Sequence, residues 1–217
     1  MKSPLLCLPL FLLAACAPES PAPADTAPAA PESAATEAPA ATVTPPDTAP
    51  ALAPPSFDCA KAASEAEELV CTDAELAALD RQLAARYVEA KGADPAVQRG
   101  WLKGRDECWK ADDARLCVLE SYRTRLVELA IHAPGVVVPK AVEYRCDDNS
   151  KPFTMTYYND LDPQAAVMTW GNDQAIVFPQ PAASGARYGR SGIEYREHQG
   201  EARVDFFGNK LSCRPVP

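Results

Sequence analysis

The apolar residues of this chain change their spacing once, near residue 134, and this change constrains the fold more than any other feature. Before it they recur at every third or fourth position, which is typical of one face of a helix; after it they alternate, as along a strand. Pro134, Gly135 and Pro139 mark the boundary. The sequence therefore predicts a multi-domain fold of the α plus β class, with a small disulfide-pinned helical domain over 57–133 and a small antiparallel β-barrel domain over 140–217.

Three helices are expected in the first part. One is expected to begin at Thr72-Asp73-Ala74-Glu75, which fits a capping box, and to carry apolar residues at helical spacing from Leu76 to Tyr87. A second is expected from Asp94-Pro95 to Cys108, because a capping residue followed by proline is typical of a helix start. A third passes through Leu116 to Leu129. Three helices make a small core, and such a core benefits from cross-links.

Short strands are expected in the second part, separated by turn residues such as Asp147-Asp148-Asn149 and Gly208-Asn209. A small meander of this kind has to close on itself or pair its edges, and a compact barrel does both. The clearest alternating runs are Val142 to Cys146, Phe153 to Tyr157, Ala166 to Trp170, Ile193 to Glu197 and Ala202 to Phe206.

The N-terminus reads as an export signal. Lys2 precedes an apolar run that is too short to span a bilayer, and the run ends in Leu13-Ala14-Ala15-Cys16, which resembles the lipobox of bacterial lipoproteins. That resemblance implies a signal peptide over 1–16, lipidation of Cys16 and attachment to the membrane through the lipid. Ala17 after the cysteine implies, by enteric sorting rules, the outer membrane and a periplasmic orientation. The alternative is an ordinary secreted protein with a chance cysteine.

Residues 17–56 are dominated by alanine, proline, threonine, serine and glutamate, with Val43 and Leu52 the only larger aliphatics. Such a segment cannot bury enough apolar surface to offset its ordering entropy. It is expected to be a disordered Pro/Ala-rich tether, and proline-rich chains are stiff enough to act as spacers.

The cysteine count agrees with export. Eight cysteines, less Cys7 in the signal and Cys16, leave six, and an even count in an exported protein favours disulfides. Zinc is the alternative, but with no CxxC pair and two histidines it has little support, so no metal site is expected. Short spacings favour Cys59–Cys71 and Cys108–Cys117, although the sequence does not fix the pairing. Cys146–Cys213 can form only if the two ends of the barrel meet.

The charge balance argues against nucleic acid as a partner. The chain has 21 basic and 30 acidic residues, a net charge of −9, whereas phosphate binding requires clustered lysine and arginine. Enzyme chemistry has little support either, because there is no glycine-rich phosphate loop and no Gly-x-Ser-x-Gly elbow. Carboxylates such as Asp147 and Asp160 fall in turns, where acidic residues are expected anyway. The chain is therefore not expected to be an enzyme or to use a cofactor.

The remaining conspicuous side chains have plain interpretations. Trp101, Trp109 and Trp170 are expected to serve packing rather than ligand binding. His132 follows the last helix and is expected to cap it or to be solvated, whereas His198 has no partner that the sequence reveals.

Residues from about 141 to 214 resemble the membrane-bound inhibitors of C-type lysozyme, which are small β-barrel lipoproteins. The order and spacing of the matching features are specific together, although no single one is. They are Tyr144-Arg145-Cys146, the loop from Ala183 to Tyr188, the stretch from Tyr195 to Ala202 with Gly200-Glu201-Ala202, and Cys213.

Residues from about 57 to 130 resemble the cysteine-containing helical domain of the LprI-type lysozyme inhibitors. This domain occurs in many exported proteins of unknown role, so it adds little to the functional argument. The matching features are Phe57 to Ala62, Cys71 to Asp80, Trp101, Arg105-Asp106, Cys108 and Cys117.

The first resemblance implies an inhibitor of C-type lysozyme or a related peptidoglycan hydrolase, which would protect peptidoglycan. Lysozyme uses two carboxyl groups at the bottom of a cleft, and a plug must be narrow and preformed. Ser184 is the expected contact, Gly185 and Ala186 keep the loop slim, and Tyr188 can anchor it by burying its ring and hydrogen bonding its hydroxyl. The bland alternative is that Ser184-Gly185 is only a hairpin turn.

A second contact loop is implied at Gln199-Gly200. The family usually has a lysine where this chain has Gln199, and a neutral amide donates without charge assistance. Arg187 or Arg196 could supply the missing charge. The rival hypothesis is an envelope interaction module that binds another protein or a cell-wall component, and the replaced lysine and the additional helical domain favour it.

Overall fold

A computed structural model of the chain describes residues 53–90 and 94–217. All of these residues belong to one compact unit. The described part begins with helices and continues as a closed antiparallel barrel, which confirms the predicted fold class. The expected signal peptide, Cys16 and the tether up to residue 52 lie outside the described residues. Among the residues that are described, we find no helix with the length and apolarity needed to cross a membrane.

Four α-helices form the first part, one more than the sequence predicts. The additional helix is α1, in which Ala66 and Val70 are the buried residues, too few to produce a periodic pattern. Short 3-10 helices lie at Cys59–Lys61 and Glu107–Lys110. The α-helices are α1 (Glu65–Thr72), α2 (Ala74–Glu89), α3 (Pro95–Asp106) and α4 (Ala114–Ile131).

The expected start of α2 is wrong by one residue. Asp73, not Thr72, is its N-cap, and the Asp73 carboxylate accepts hydrogen bonds from the backbone N–H groups of Glu75 (2.9 Å) and Leu76 (3.0 Å). Thr72 instead ends α1, where its hydroxyl donates to the Glu68 carbonyl. The expected start of α3 is confirmed, since Asp94 caps it ahead of Pro95, but α3 ends before Cys108.

A buried polar chain crosses the helical core. The Arg105 guanidinium, 3% exposed, donates to the Tyr122 hydroxyl (2.9 Å), and that hydroxyl donates to Asp80 (2.9 Å). The other Asp80 oxygen accepts from the backbone N–H of Ser56 at 2.6 Å. The sequence assigns residues 53–56 to the tether, yet these contacts and the buried Pro55 fix them against α2.

The second part is a barrel of eight antiparallel strands in sequential order, closed by pairing of β1 with β8. Its interior is filled by large apolar and aromatic side chains, among them Phe153, Met155, Met168 and Tyr195. The strands are β1 (Val142–Cys146), β2 (Phe153–Tyr158), β3 (Ala165–Trp170), β4 (Asp173–Pro179), β5 (Ala186–Arg190), β6 (Ile193–His198), β7 (Glu201–Phe206) and β8 (Asn209–Pro215).

Three disulfides cross-link the described residues. Cys59–Cys71 and Cys108–Cys117 lie in the helical part, and Cys146–Cys213 joins β1 to β8 at directly paired positions. The last bond therefore lies on the seam that closes the barrel.

The helices contact the barrel through an apolar interface. Val127 of α4 is buried together with Ala165, Ile176 and Phe178 of β3 and β4. A polar contact lies beside this interface, where the backbone N–H of Ser191 donates a hydrogen bond to the Glu120 carboxylate at 2.9 Å. The helical part thus covers the β3–β4 side of the barrel.

Of the three tryptophans, two serve packing as expected. Trp170 is buried in the barrel core, and the Trp101 indole N–H donates to the Ser121 carbonyl at 3.1 Å while its ring contacts Tyr122. The expectation is wrong for Trp109, which is 56% exposed.

Candidate functional site

The two loops singled out in the sequence lie side by side at one end of the barrel. The first connects β4 to β5 and covers residues 180–185; the second is the β6–β7 hairpin with Gln199 and Gly200 at its tip. The register of β5 on β6 places Ala186 opposite Glu197, and this pairing brings the loops together. The side chains of Ser184 and His198 then meet, with 3.2 Å between Oγ and Nδ1.

Gly185 permits this close approach. Its φ of +70° lies in the left-handed region, and a Cβ built there would collide with the carbonyl oxygen of Glu197. Residues with a side chain are therefore excluded twice, by conformation and by space. The loop can lie against β6 because this position is glycine.

The β6–β7 hairpin is a two-residue turn. Gln199 (φ +52°) and Gly200 (φ +79°) both have positive φ, as a type I′ turn requires. The turn is fixed by the Gly200 N–H, which donates to the Glu197 carboxylate at 2.9 Å. The turn therefore holds Gln199, which is exposed, at the tip of the hairpin directly after His198.

Arg187 and Arg196 share one carboxylate. Both Nε atoms donate to Glu194 Oε1 at 2.8 Å, and these bonds, led by that of Arg196, lower the pKa of Glu194 below its usual value. Each guanidinium is thus already partnered, so neither is a free cation of the kind that the missing family lysine would have been.

Tyr188 anchors the first loop to the barrel. Its half-buried ring packs on Tyr157 (5.4 Å between ring centroids) and Tyr195 (6.3 Å), and burial raises the pKa of its hydroxyl. The expected anchoring of the ring is present, whereas within the described part of the chain no hydrogen bond to its hydroxyl is found.

The tyrosines on which Tyr188 packs are joined to each other and to Tyr144 by hydrogen bonds. The hydroxyls of Tyr144 and Tyr195 lie 2.8 Å apart, and the Tyr157 hydroxyl donates to Tyr195 at 3.1 Å. Desolvation is the main cause that raises the pKa of both Tyr157 and Tyr195. The hydrogen bond from Tyr157 opposes part of that rise at Tyr195. The base of the loop therefore rests on a stiff, neutral aromatic cluster.

A shallow cavity of about 580 Å³ opens beside the hairpin. Its charged lining contains three arginines and one carboxylate, and two of the arginines are already paired, Arg196 with Glu194 and Arg203 with Glu201. The lining residues are Arg196, His198, Gln199, Gly200, Glu201, Arg203 and Arg214. Across the described ranges, no group of three or more His, Cys, Asp or Glu side chains is arranged to hold a metal.

His198 is the member of this site that sequence reasoning missed. It lies at the end of β6, and its contact with Ser184 depends on the β5–β6 register. A period of two identifies strands but does not align them. The position directly before the Gln199-Gly200 turn was the available signal.

Comparison with known proteins agrees with both resemblances. Residues 144–212 match the sequence model of the family described as membrane-bound lysozyme-inhibitor of c-type lysozyme. Over 164 residues the chain is 46% identical to lipoprotein LprI of Mycobacterium tuberculosis and of Mycobacterium bovis, a match that covers 73% of this chain and 83% of the relative. The chain belongs to the LprI family of lipoproteins.

A solved structure of Pseudomonas aeruginosa MliC in complex with hen egg white lysozyme is also similar. It is 22% identical, with a TM-score of 0.29, and the match covers 39% of this chain and 91% of that one. The family and the relatives that match are inhibitors and lipoproteins rather than enzymes, as the sequence predicts for this LprI family member.

Proposed function

We propose that this LprI family member is an outer-membrane lipoprotein, facing the periplasm, that inhibits C-type lysozyme by inserting the β4–β5 loop into the catalytic cleft. The observation that carries the proposal is the meeting of the Ser184 loop and the Gln199 turn at one exposed end of the barrel. Both lie within residues 144–212, which match a lysozyme-inhibitor family.

The chemistry of the target explains why such a tip would inhibit. Lysozyme cleaves its substrate with two carboxyl groups in a cleft. The Ser184 hydroxyl and the Gln199 amide are small, exposed donors that can reach carboxyl oxygens. No reaction on the inhibitor's side is needed, because occupation of the cleft excludes the polysaccharide.

Preorganisation supports the proposal further. Gly185 lies against β6, Arg187 is paired with Glu194, and Tyr188 is packed on the aromatic cluster. A loop held in this way loses little entropy on binding, so more of the contact energy appears as affinity. A rigid plug of modest area can then reach nanomolar dissociation constants, about −12 kcal/mol.

The anchoring part of the proposal rests on the LprI relatives, which are lipoproteins, and on the lipobox at Cys16. We propose that residues 17–52, the part of the expected tether that precedes the contacts with α2, hold the helical domain and the barrel domain away from the membrane. Labelling with radioactive palmitate tests the anchor. The full-length protein should take up label and sediment with the outer membrane, and a Cys16→Ser variant should do neither. Label retained by the variant would exclude Cys16 as the acylated residue.

A competition experiment tests cleft insertion. Full-length protein is titrated with a C-type lysozyme at increasing concentrations of a chito-oligosaccharide that occupies the cleft. The apparent dissociation constant should rise linearly with the oligosaccharide concentration, as competition for one site requires. A dissociation constant that does not change with the oligosaccharide concentration would place the contact outside the cleft. No binding at all, with capture of another envelope component instead, would favour the interaction-module hypothesis.

A further inference from the structure

The contact between Ser184 and His198 limits what the serine can offer a target. A hydroxyl has one hydrogen to donate and two lone pairs. When the imidazole is neutral with its hydrogen on Nε2, Nδ1 is an acceptor. The Ser184 hydroxyl, 3.2 Å away, then donates its hydrogen bond to Nδ1. The serine then faces a cleft carboxylate with lone pairs only. This arrangement is repulsive for an ionised carboxylate.

Protonation of His198 reverses the direction of that hydrogen bond. Nδ1–H then donates to Ser184 Oγ, and the Ser184 hydroxyl is free to donate a hydrogen bond to the target. The imidazolium also adds a positive charge directly before Gln199 at the tip of the hairpin. Both effects favour contact with carboxylates, and hydrogen bonds that involve a charged partner are the stronger ones.

We infer that His198 is the positioning residue that sets the direction of the Ser184 hydrogen bond, so that lysozyme binding tightens when His198 takes up a proton from solvent. The inference rests on the proposed function and adds to it a second loop residue and a pH dependence. A histidine is the side chain that ordinarily changes charge between pH 5 and 8.

The charged groups around His198 come from four strands. On its own strand, Glu197 is occupied by the Gly200 N–H and Arg196 by Glu194. From β7, Glu201 is the cross-strand partner of His198 and is itself paired with Arg203 at 3.3 Å. The other guanidiniums on this side are Arg214 of β8, which lines the same cavity, and Arg187 of β5, which is paired with Glu194. His198 is exposed, so water screens all of these interactions.

The test compares three full-length proteins at about pH 8 and about pH 5.5 by measuring their dissociation constants for a C-type lysozyme. His198→Asn keeps a hydrogen-bonding side chain that does not titrate. His132→Asn is the matched control, because His132 is the other histidine of the chain and caps α4 through the Glu128 carbonyl. The carboxyl groups of lysozyme titrate as well, so the readout is the affinity ratio of wild type to variant at each pH.

We expect the ratio of wild type to His198→Asn to rise about tenfold from the higher to the lower pH, and the ratio to His132→Asn to stay flat. Calorimetry in buffers of different ionisation enthalpy should show that wild type takes up more protons on binding than His198→Asn does. If all three proteins bind and the ratio stays within twofold, this inference is wrong and the proposed function stands. If the wild-type protein binds lysozyme at neither pH, this inference and the proposed function are both wrong.

Discussion

At the scale of single residues, the first loop of the site depends on the positive φ of Gly185. At Gly185 the left-handed conformation coincides with contact to the Glu197 carbonyl, whereas a Cβ at Gly208, also left-handed, would meet open space at the other end of the barrel. Conformational strain and steric exclusion can therefore be separated by experiment.

Gly185→Ala should weaken lysozyme binding about tenfold or more, because the loop must move off β6 and Ser184 moves with it. Gly208→Ala should destabilise the fold by about 1–2 kcal/mol through strain alone and leave binding unchanged. Thermal unfolding and the dissociation constant for lysozyme, measured on both variants, separate the effects. Equal loss of binding in the two variants would contradict the role assigned to Gly185.

Gln199 is expected to limit the affinity of the second contact. Gln199→Lys restores the charge that the related family usually has, and both side chains would meet the same backbone strain at φ +52°. The variant should bind lysozyme about tenfold more tightly at low salt, and added salt should reduce that gain. Unchanged affinity would mean that the hairpin tip does not face a carboxylate.

The residue types of the first loop could be predicted from the sequence, because serine, glycine and tyrosine have specific roles in a tight, anchored loop. The partners could not. His198 against Ser184, and Glu194 between Arg187 and Arg196, are consequences of strand register, which the alternation of apolar residues does not determine.

At the scale of elements, the barrel is closed by the β1–β8 pairing and by the disulfide across it. Cys146–Cys213 spans 67 residues of sequence, whereas Cys108–Cys117 spans 9. In the chain-entropy account a cross-link stabilises more when the loop that it closes is longer.

Replacing both Cys146 and Cys213 with alanine should therefore cost about 2 kcal/mol more stability than the same change at Cys108 and Cys117. Urea unfolding of the two double variants measures the difference, and the second variant is the control for loss of buried sulfur. The seam would not limit barrel stability if the two variants unfolded at the same urea concentration.

Most of the helices and strands could be predicted from the sequence. Alternation predicts the strands, and Asp94-Pro95 predicts the start of α3. The sequence does not predict the short α1, because its two buried residues, Ala66 and Val70, make no periodic pattern. Thr72 is not the cap of α2, because α1 runs to Thr72 and Asp73 both ends α1 and caps α2.

At the scale of the whole molecule, the helices and the barrel share an apolar contact. Phe178 of β4 is 4% exposed and is buried with Val127 of α4. Nothing in the period of either segment indicates which faces meet, so the sequence could not predict this contact.

Phe178→Ala should destabilise the protein by about 3–5 kcal/mol and should lower the unfolding midpoints of both parts together. Trp101 reports on the helices and Trp170 on the barrel, so urea titrations of single-tryptophan versions follow each part separately. Phe207→Ala, at an exposed phenylalanine, is the control and should change stability by less than about 1 kcal/mol. A shift confined to Trp170 would show that the parts unfold independently.

The most direct test of the whole account is inhibition of a C-type lysozyme on cell-wall substrate by the full-length protein, compared with its Ser184→Trp and Ser150→Trp variants. Ser150 is an exposed serine in the β1–β2 loop at the opposite end of the barrel. We predict inhibition by wild type and by Ser150→Trp, and its loss in Ser184→Trp, because the indole is too large for a narrow cleft contact. Undiminished inhibition by Ser184→Trp would contradict insertion of this loop, and no inhibition by folded, oxidised wild type would contradict the proposed function.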